Sequence, residues 1–163
     1  MPLMVDVFWK RLNPIAKLPQ YMSEQASGMD IRACLQGHPD FPKGMVIIQP
    51  GETVTIPTGL AVAIPEGFEL QIRPRSGVSK KSKLRLPNTP GTIDSDYRGE
   101  VGLIVENIGV MEVIVIKHDD RIAQCVLAPI LRANNLETDE LDETARGSNG
   151  YGNSPEEGYG GTI

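Results

Sequence analysis

The stretch Thr53-Val54-Thr55-Ile56-Pro57-Thr58-Gly59-Leu60-Ala61-Val62-Ala63-Ile64-Pro65-Glu66-Gly67 decides the fold class. Its runs 53–56 and 60–64 are alternating or β-branched, and Pro57-Thr58-Gly59 and Pro65-Glu66-Gly67 close them. A period of two puts every second side chain on one face of a strand, and Pro and Gly supply the turns that end it. The cadence continues outward. Pro50-Gly51-Glu52 precedes the stretch, Glu69-Leu70-Gln71-Ile72-Arg73 follows it, and Met111-Glu112-Val113-Ile114-Val115-Ile116 repeats the pattern later. Short strands with turn signals at such intervals indicate an all-β sandwich or barrel of jelly-roll-like topology. Between Ser76 and Pro87 the pattern breaks, and Ser79-Lys80-Lys81-Ser82-Lys83-Leu84 reads as one short helix or an irregular turn.

At 163 residues the chain has the size of a single domain. Gly (17) and Pro (13) are too many for a helical protein. A formal charge of -5 argues against tracking a nucleic-acid backbone, which needs clustered cations. Lys80, Lys81 and Lys83 form only a short basic run, the pattern of a solvated face. Cys34 and Cys125 stand in no metal or disulfide spacing and read as small core residues, so a reducing cytoplasm is expected. No apolar h-region follows Lys10 and Arg11, and no run approaches the roughly 20 apolar residues of a membrane span, so no membrane partner is expected. After the acidic residues 137–143 the chain turns Gly-rich, and a tail of that composition cannot build its own core. A β domain over 1–144 and a flexible tail over 145–163 are expected.

Several catalytic signatures are absent. No Gly-x-x-x-x-Gly-Lys-Ser/Thr loop occurs, and the His-x-Glu and Pro-Cys-x-x-Cys pair of zinc deaminases is missing. His38 and His118 are isolated and read as surface or loop residues. What remains is five polar, Gly-containing segments placed between strands, where a rigid sheet can position loop residues for chemistry. They are Ala26-Ser27-Gly28-Met29-Asp30-Ile31-Arg32-Ala33, Arg73-Pro74-Arg75-Ser76-Gly77-Val78-Ser79, residues 91–100, Asp119-Asp120-Arg121-Ile122-Ala123-Gln124, and Arg146-Gly147-Ser148-Asn149-Gly150-Tyr151-Gly152. The second offers a planar fork of donors on Arg75, a hydroxyl on Ser76 and close backbone approach at Gly77, all suited to phosphate oxygens. In the third, Gly91-Thr92-Ile93-Asp94-Ser95-Asp96-Tyr97-Arg98-Gly99, Ile93 anchors inward and alternation turns Asp94 to the opposite face. A carboxylate there can take a proton from water, and Asp96 is a rival two residues on.

In order and content these five segments resemble the motifs of the homotrimeric dUTP pyrophosphatase (dUTPase) family, over residues 26–154. The resemblance implies a β-clip fold and hydrolysis of dUTP to dUMP and pyrophosphate at the α-phosphate, within pyrimidine deoxynucleotide metabolism. It implies that Asp94 is the general base and that Ser76 contacts the bridging oxygen beside the α-phosphate. Arg75, Gly77, Gln124 and Arg146 join Ser76 around the phosphates. Asn88, Gly91, Thr92, Ile93, Tyr97, Gly102 and Tyr151 receive the nucleoside. The ring of Tyr97 lies under the deoxyribose, leaving no room for a 2'-hydroxyl, and Tyr151 stacks on the uracil as the tail closes. Backbone groups near Gly91 and the amide of Asn88 read the base edge, rejecting cytosine by leaving buried polar groups unpaired. Mg²⁺ is the implied cofactor, carried by phosphates and waters with no direct protein ligand. Asp30 either supports those waters, orients neighbouring groups or stabilises a turn. The implied partner is a second and third copy of the chain, with sites shared between subunits.

Three places depart from the family pattern that the resemblance implies. Tyr151 stands where Phe is usual, Asn153-Ser154-Pro155 where Ser-Thr-Gly is usual, and Asp119 where Gly is usual. Asp119 is strained if that backbone needs positive φ. Two other readings share the fold. A dCTP deaminase would carry a second Ser and a downstream Arg after its Arg-Ser and a Glu as base, where this chain has Gly77 and Asp94. A nucleotide-sensing module would bind without turnover.

Overall fold

The structure is a computed structural model and describes residues 4–150. Among these the chain forms eleven strands and one helix. In order they are β1 (Phe8–Arg11), β2 (Gln20–Tyr21), β3 (Met29–Arg32), β4 (Met45–Ile48), β5 (Thr53–Ala63), β6 (Phe68–Pro74), α1 (Ser76–Lys81), β7 (Leu84–Arg85), β8 (Gly91–Ile93), β9 (Glu100–Asn107), β10 (Ile114–Lys117) and β11 (Arg121–Pro129). They pair in three sheets, ordered β1-β5-β9-β7, β10-β4 and β2-β3-β11-β6-β8. Every pairing is antiparallel, so the expected all-β class holds. The chain divides into two compact units, Met1–Leu131 and Arg132–Ile163, and all the strands belong to the first. The expected boundary after residue 144 falls inside the second unit, whose described residues carry no helix or strand.

All three sheets contribute to one core, through Ile31, Leu70 and Cys125 from one, Ile56, Leu103 and Val105 from another, and Ile48 and Ile116 from the two-stranded pair. β9 shows the two-residue period most clearly, with Val101, Leu103, Val105 and Asn107 buried in alternation. Asn107 is polar and fully buried, yet satisfied: its Nδ2 donates to the carbonyls of Ile48 and Glu112, and its Oδ1 accepts from Gly109 N–H. A buried amide without those partners would cost about 1–3 kcal/mol.

Two expectations need correction. Pro57-Thr58-Gly59 does not turn the chain; β5 runs through it, with its pairing to β9 shifting register between Pro57 and Ala61. Thr58 stabilises this irregularity by donating its hydroxyl to Val101 O and accepting Leu60 N–H. Gly59 sits at φ +68, and a Cβ there would meet Ala16 Cβ and Cys34 Sγ at 2.9 Å, so both conformation and space demand glycine. The helix also lies earlier than expected. It spans Ser76–Lys81 rather than residues 79–84, because Ser82 folds its hydroxyl back onto Val78 O and Leu84 pairs with Asn107 in β7.

Candidate active site

Two of the five polar segments meet along β3, β11 and β6, and a third follows directly from β6. Asp30 of β3 is the hub, with only 11% of its side chain exposed. Its Oδ1 accepts Arg75 Nε at 2.8 Å and its Oδ2 accepts Arg121 Nη1 at 3.2 Å. Arg75 also donates Nη1 to the backbone carbonyl of Arg121 at 2.7 Å. Two of the five N–H groups of Arg75 are therefore committed to the protein, and three are left for a ligand. Asp30 belongs to a strand and not to a turn, and both its oxygens are taken up by the two guanidiniums. Arg121 stands in the fourth polar segment, where the sequence alone gave it no role. The signal for it is the apolar pair Ile122-Ala123 that follows, which breaks the two-residue alternation of β11.

Beside this cluster, Gln124 of β11 donates Nε2 to Pro74 O at 2.8 Å. Gly28 lies against its side chain so closely that a Cβ would come within 3.1 Å of Gln124 Cδ and nearer still to Oε1. Ser76 opens α1 and is exposed, and the space beside Gly77 is empty. Arg75, Ser76, Gly77 and Gln124 thus cluster where β6 and β11 run side by side.

The third segment occupies β8 and the loop after it. Gly91 is buried opposite Ile72, Thr92 is exposed, and Ile93 packs against the core opposite Leu70. A Cβ on Gly91 would lie 3.2 Å from Asn88 Nδ2, so its absence lets the Asn88 amide settle over the strand. After Ile93 the chain turns, with Tyr97 N–H donating to Asp94 O and Arg98 Nη1 to the carbonyls of Ser95 and Tyr97. Asp94 and Asp96 both face solvent. The Tyr97 ring folds over Gly99, where a Cβ would stand 2.6 Å from Cζ, and its hydroxyl donates to Glu100 O at 3.0 Å. Gly102 lies in a different sheet, where Thr55 Cγ2 would come within 2.8 Å of a Cβ, a packing reason for glycine there.

Within one chain these groups do not all converge. β6 and β8 are antiparallel with Ile72 opposite Gly91 and Leu70 opposite Ile93, so the two strands leave their pairing in opposite directions. Arg75 follows one end and Asp94 the other. At the rise of a strand their backbones are about 20 Å apart. Arg146 belongs to the second unit, where its Nε donates to Asn149 O at 2.8 Å. Tyr151, Asn153, Ser154 and Pro155 lie outside the described residues.

Asp119, in the turn between β10 and β11, is the one non-glycine residue at positive φ among the described residues, at +72. Lys17 Nζ binds its carboxylate at 2.6 Å and Arg32 Nη1 stands at 3.2 Å. The hydrogen bond from Lys17 is the main cause of its lowered pKa, with the charge of Arg32 assisting against partial desolvation. His118 beside it is a loop residue with a structural task, its Nδ1 accepting Leu35 N–H at 3.2 Å. Among the described residues no group of three or more His, Cys, Asp or Glu could hold a metal ion, and no helix is long and apolar enough to cross a membrane.

A dUTPase family model matches residues 15–155. The chain belongs to the dUTPase family. Family members hydrolyse dUTP to dUMP, and this chain is accordingly a dUTP diphosphatase. It is 50% identical over 145 residues to a deoxyuridine 5'-triphosphate nucleotidohydrolase of Syntrophotalea carbinolica, covering 89% of this chain and 93% of that one. With the enzyme of the same name from Dinoroseobacter shibae it shares 48% over 157 residues, or 94% and 98% of the two chains. Among solved structures, a point mutant of the dUTPase of Staphylococcus bacteriophage 80alpha superposes with a TM-score of 0.77 when bound to dUpNHpp, at 26% identity and 91% and 98% coverage. A mutant of the dUTPase of phage phi11 of S. aureus coordinates a structural Mg(II) ion; at 24% identity, TM-score 0.71 and 85% and 100% coverage, the likeness to it concerns the fold.

Proposed function

We propose that this dUTPase hydrolyses dUTP by attack of water on the α-phosphate, releasing pyrophosphate, with Asp94 as the general base. The loop observation that supports Asp94 is its placement directly after Ile93, an anchored strand residue, on a turn closed by Tyr97 N–H. An exposed carboxylate held at a fixed strand end can accept a proton as the water oxygen attacks, help worth about 10²- to 10⁴-fold. Arg75, Ser76, Gly77, Gln124 and Arg146 hold the phosphates. Charge neutralisation by the guanidiniums supplies the larger part of the acceleration. Asn88, Gly91, Thr92, Ile93, Tyr97, Gly102 and Tyr151 select the nucleoside.

The separation of Asp94 from Arg75 along the β6–β8 pair supports a homotrimer whose sites combine the phosphate-holding groups of one subunit with the base of another. A closed cyclic assembly supplies each site in the same way. Mg²⁺ bound to the triphosphate would offset its charge and orient its oxygens. The donor set fits such indirect holding: both Asp30 oxygens already serve guanidiniums, and Mg²⁺ keeps much of its water shell. The two buried thiols suit a cytoplasmic setting.

The test is an Asp94→Asn variant, expected to bind dUpNHpp with affinity within a few-fold of the parent while losing at least about 10²-fold in kcat. Full turnover would remove Asp94 from the role. Release of pyrophosphate measured side by side with dUTP, dCTP, dTTP and UTP should favour dUTP. Ammonia from dCTP would indicate a deaminase instead.

A further inference from the structure

β11 carries an irregularity at the point where it enters the site. Gln124 pairs with Asp30 and Ala123 with Ile31, but Arg121 pairs with Arg32, so Ile122 is an extra residue in the strand. Ile122 and Ala123 are both buried in succession, which regular alternation forbids. In an unbroken ladder Arg121 would stand opposite Ala33, on the face of Ile31 and the core. The bulge moves it onto the face of Asp30, Arg32 and Gln124. Bulges commonly re-aim a side chain beside an active site.

We propose that this bulge exists to deliver Arg121 as a positioning residue for the reaction, a second guanidinium that fixes Arg75 through Asp30. Arg121 acts twice. Its Nη1 holds Asp30 Oδ2, leaving Oδ1 for Arg75 Nε, and its own carbonyl accepts Arg75 Nη1. Arg75 is thereby pinned at two N–H groups and presents the remaining three in one plane. Two guanidiniums around one carboxylate also leave a unit of positive charge in a half-buried place, which a triphosphate neutralises and a neutral nucleoside does not. The inference rests on the reading of Arg75 as a phosphate-holding residue.

The experiment is a double-mutant cycle of Arg75→Ala and Arg121→Ala, with Arg121→Lys as the conservative variant. It reads kcat and KM for dUTP, with dUpNHpp titration counting the folded sites. Arg121→Ala is expected to lower kcat/KM per folded site by about 10- to 100-fold, the usual cost of losing a residue that orients a ligating group. Arg121→Lys should recover part of that. In the Arg75→Ala background, removing Arg121 should cost less than about threefold, because there is no fork left to orient. Multiplying effects would show that Arg121 acts independently and overturn the inference, as would an Arg121→Ala enzyme within twofold of the parent. Full activity of Arg75→Ala would instead sink the phosphate-holding reading, and the inference with it.

Discussion

Lys17 Nζ lies 2.6 Å from the carboxylate of Asp119, clamping the segment after β1 to a turn whose backbone is left-handed at φ +72. Backbone of that kind favours glycine, and the clamp offsets what the aspartate side chain costs. Left-handed backbone disfavours a Cβ by roughly 1–2 kcal/mol, less for Asp, while an exposed ion pair returns about 0–1 kcal/mol. Asp119→Gly should therefore leave stability within about 1 kcal/mol of the parent. Asp119→Ala loses the pair and keeps the strain, so its melting temperature should fall by about 2–8 °C relative to Asp119→Gly. Equal melting of the two variants would mean the backbone conformation carries no cost.

The same clamp sets an acid limb. Its hydrogen bond to Lys17 holds the Asp119 carboxyl below the ordinary aspartate range. A depressed folded-state pKa contributes stability that is present above the unfolded value, near pH 4, and lost as pH falls through the folded one. Urea midpoints of the parent should decline below about pH 4 more steeply than those of Asp119→Asn. Salt should shrink the difference, since the pair is partly exposed. Parallel curves for the two proteins would remove Asp119 from the acid response.

Burial makes the opposite prediction for alkali. Desolvation pushes the Cys125 thiol up to about 12 and raises that of Cys34, with the charges of Glu100 and Asp119 adding to the latter. An unfolded thiol ionises near pH 8.5, so the folded state holds more protons above that pH and loses stability as pH rises. Both cysteines are buried, at 0% and 3% exposure, so neither should react with a disulfide reagent at pH 8 until denaturant is added. Rapid labelling of the native protein would contradict the packing of β11 or of the loop holding Cys34.

Much of this architecture is legible in the residues, and its irregularities are where the legibility ends. Glu69-Leu70-Gln71-Ile72-Arg73 announces β6 because its alternation matches one buried and one exposed face. β9 is hidden, since Ile104 puts an apolar residue on its outer face and Gly102 puts none on the same face. The Pro57-Thr58-Gly59 triplet reads as a turn because its chemistry is local, whereas the strand around it is held by Val101, Glu100 and Cys34 far along the chain. The site follows the same rule. Arg75 and Gln124 are recognisable by motif, but the bridge of Arg75 and Arg121 to Asp30 spans residues 45 and 91 apart, and only the bulge in β11 closes it.

Gly28 separates positioning from stability. Its backbone is not left-handed, so alanine fits its conformation, and the atoms that a Cβ would meet are the far end of the Gln124 side chain. Gly28→Ala should swing that amide off Pro74 O with a stability change below about 1 kcal/mol. If Gln124 holds phosphate, KM for dUTP rises by about tenfold or less, one displaced hydrogen bond's worth, while the melting temperature stays put. A large fall in melting temperature with unchanged KM would mark Gly28 as a packing residue alone.

Whether sites are shared between subunits can be read from mixtures. Arg75 and Asp94 leave opposite ends of the β6–β8 pair, so each variant chain that lacks one still carries the other intact. Arg75→Ala and Asp94→Asn enzymes, each nearly inactive alone, are unfolded together in equal amounts and refolded. If each site takes its guanidinium from one chain and its carboxylate from a neighbour, random assembly leaves about one quarter of the sites fully native. Activity should return to about that fraction of the parent, and not when the two proteins are mixed without unfolding and subunits do not exchange. Persistent inactivity of the refolded mixture, with trimers confirmed by light scattering, would place both groups of each site on a single chain.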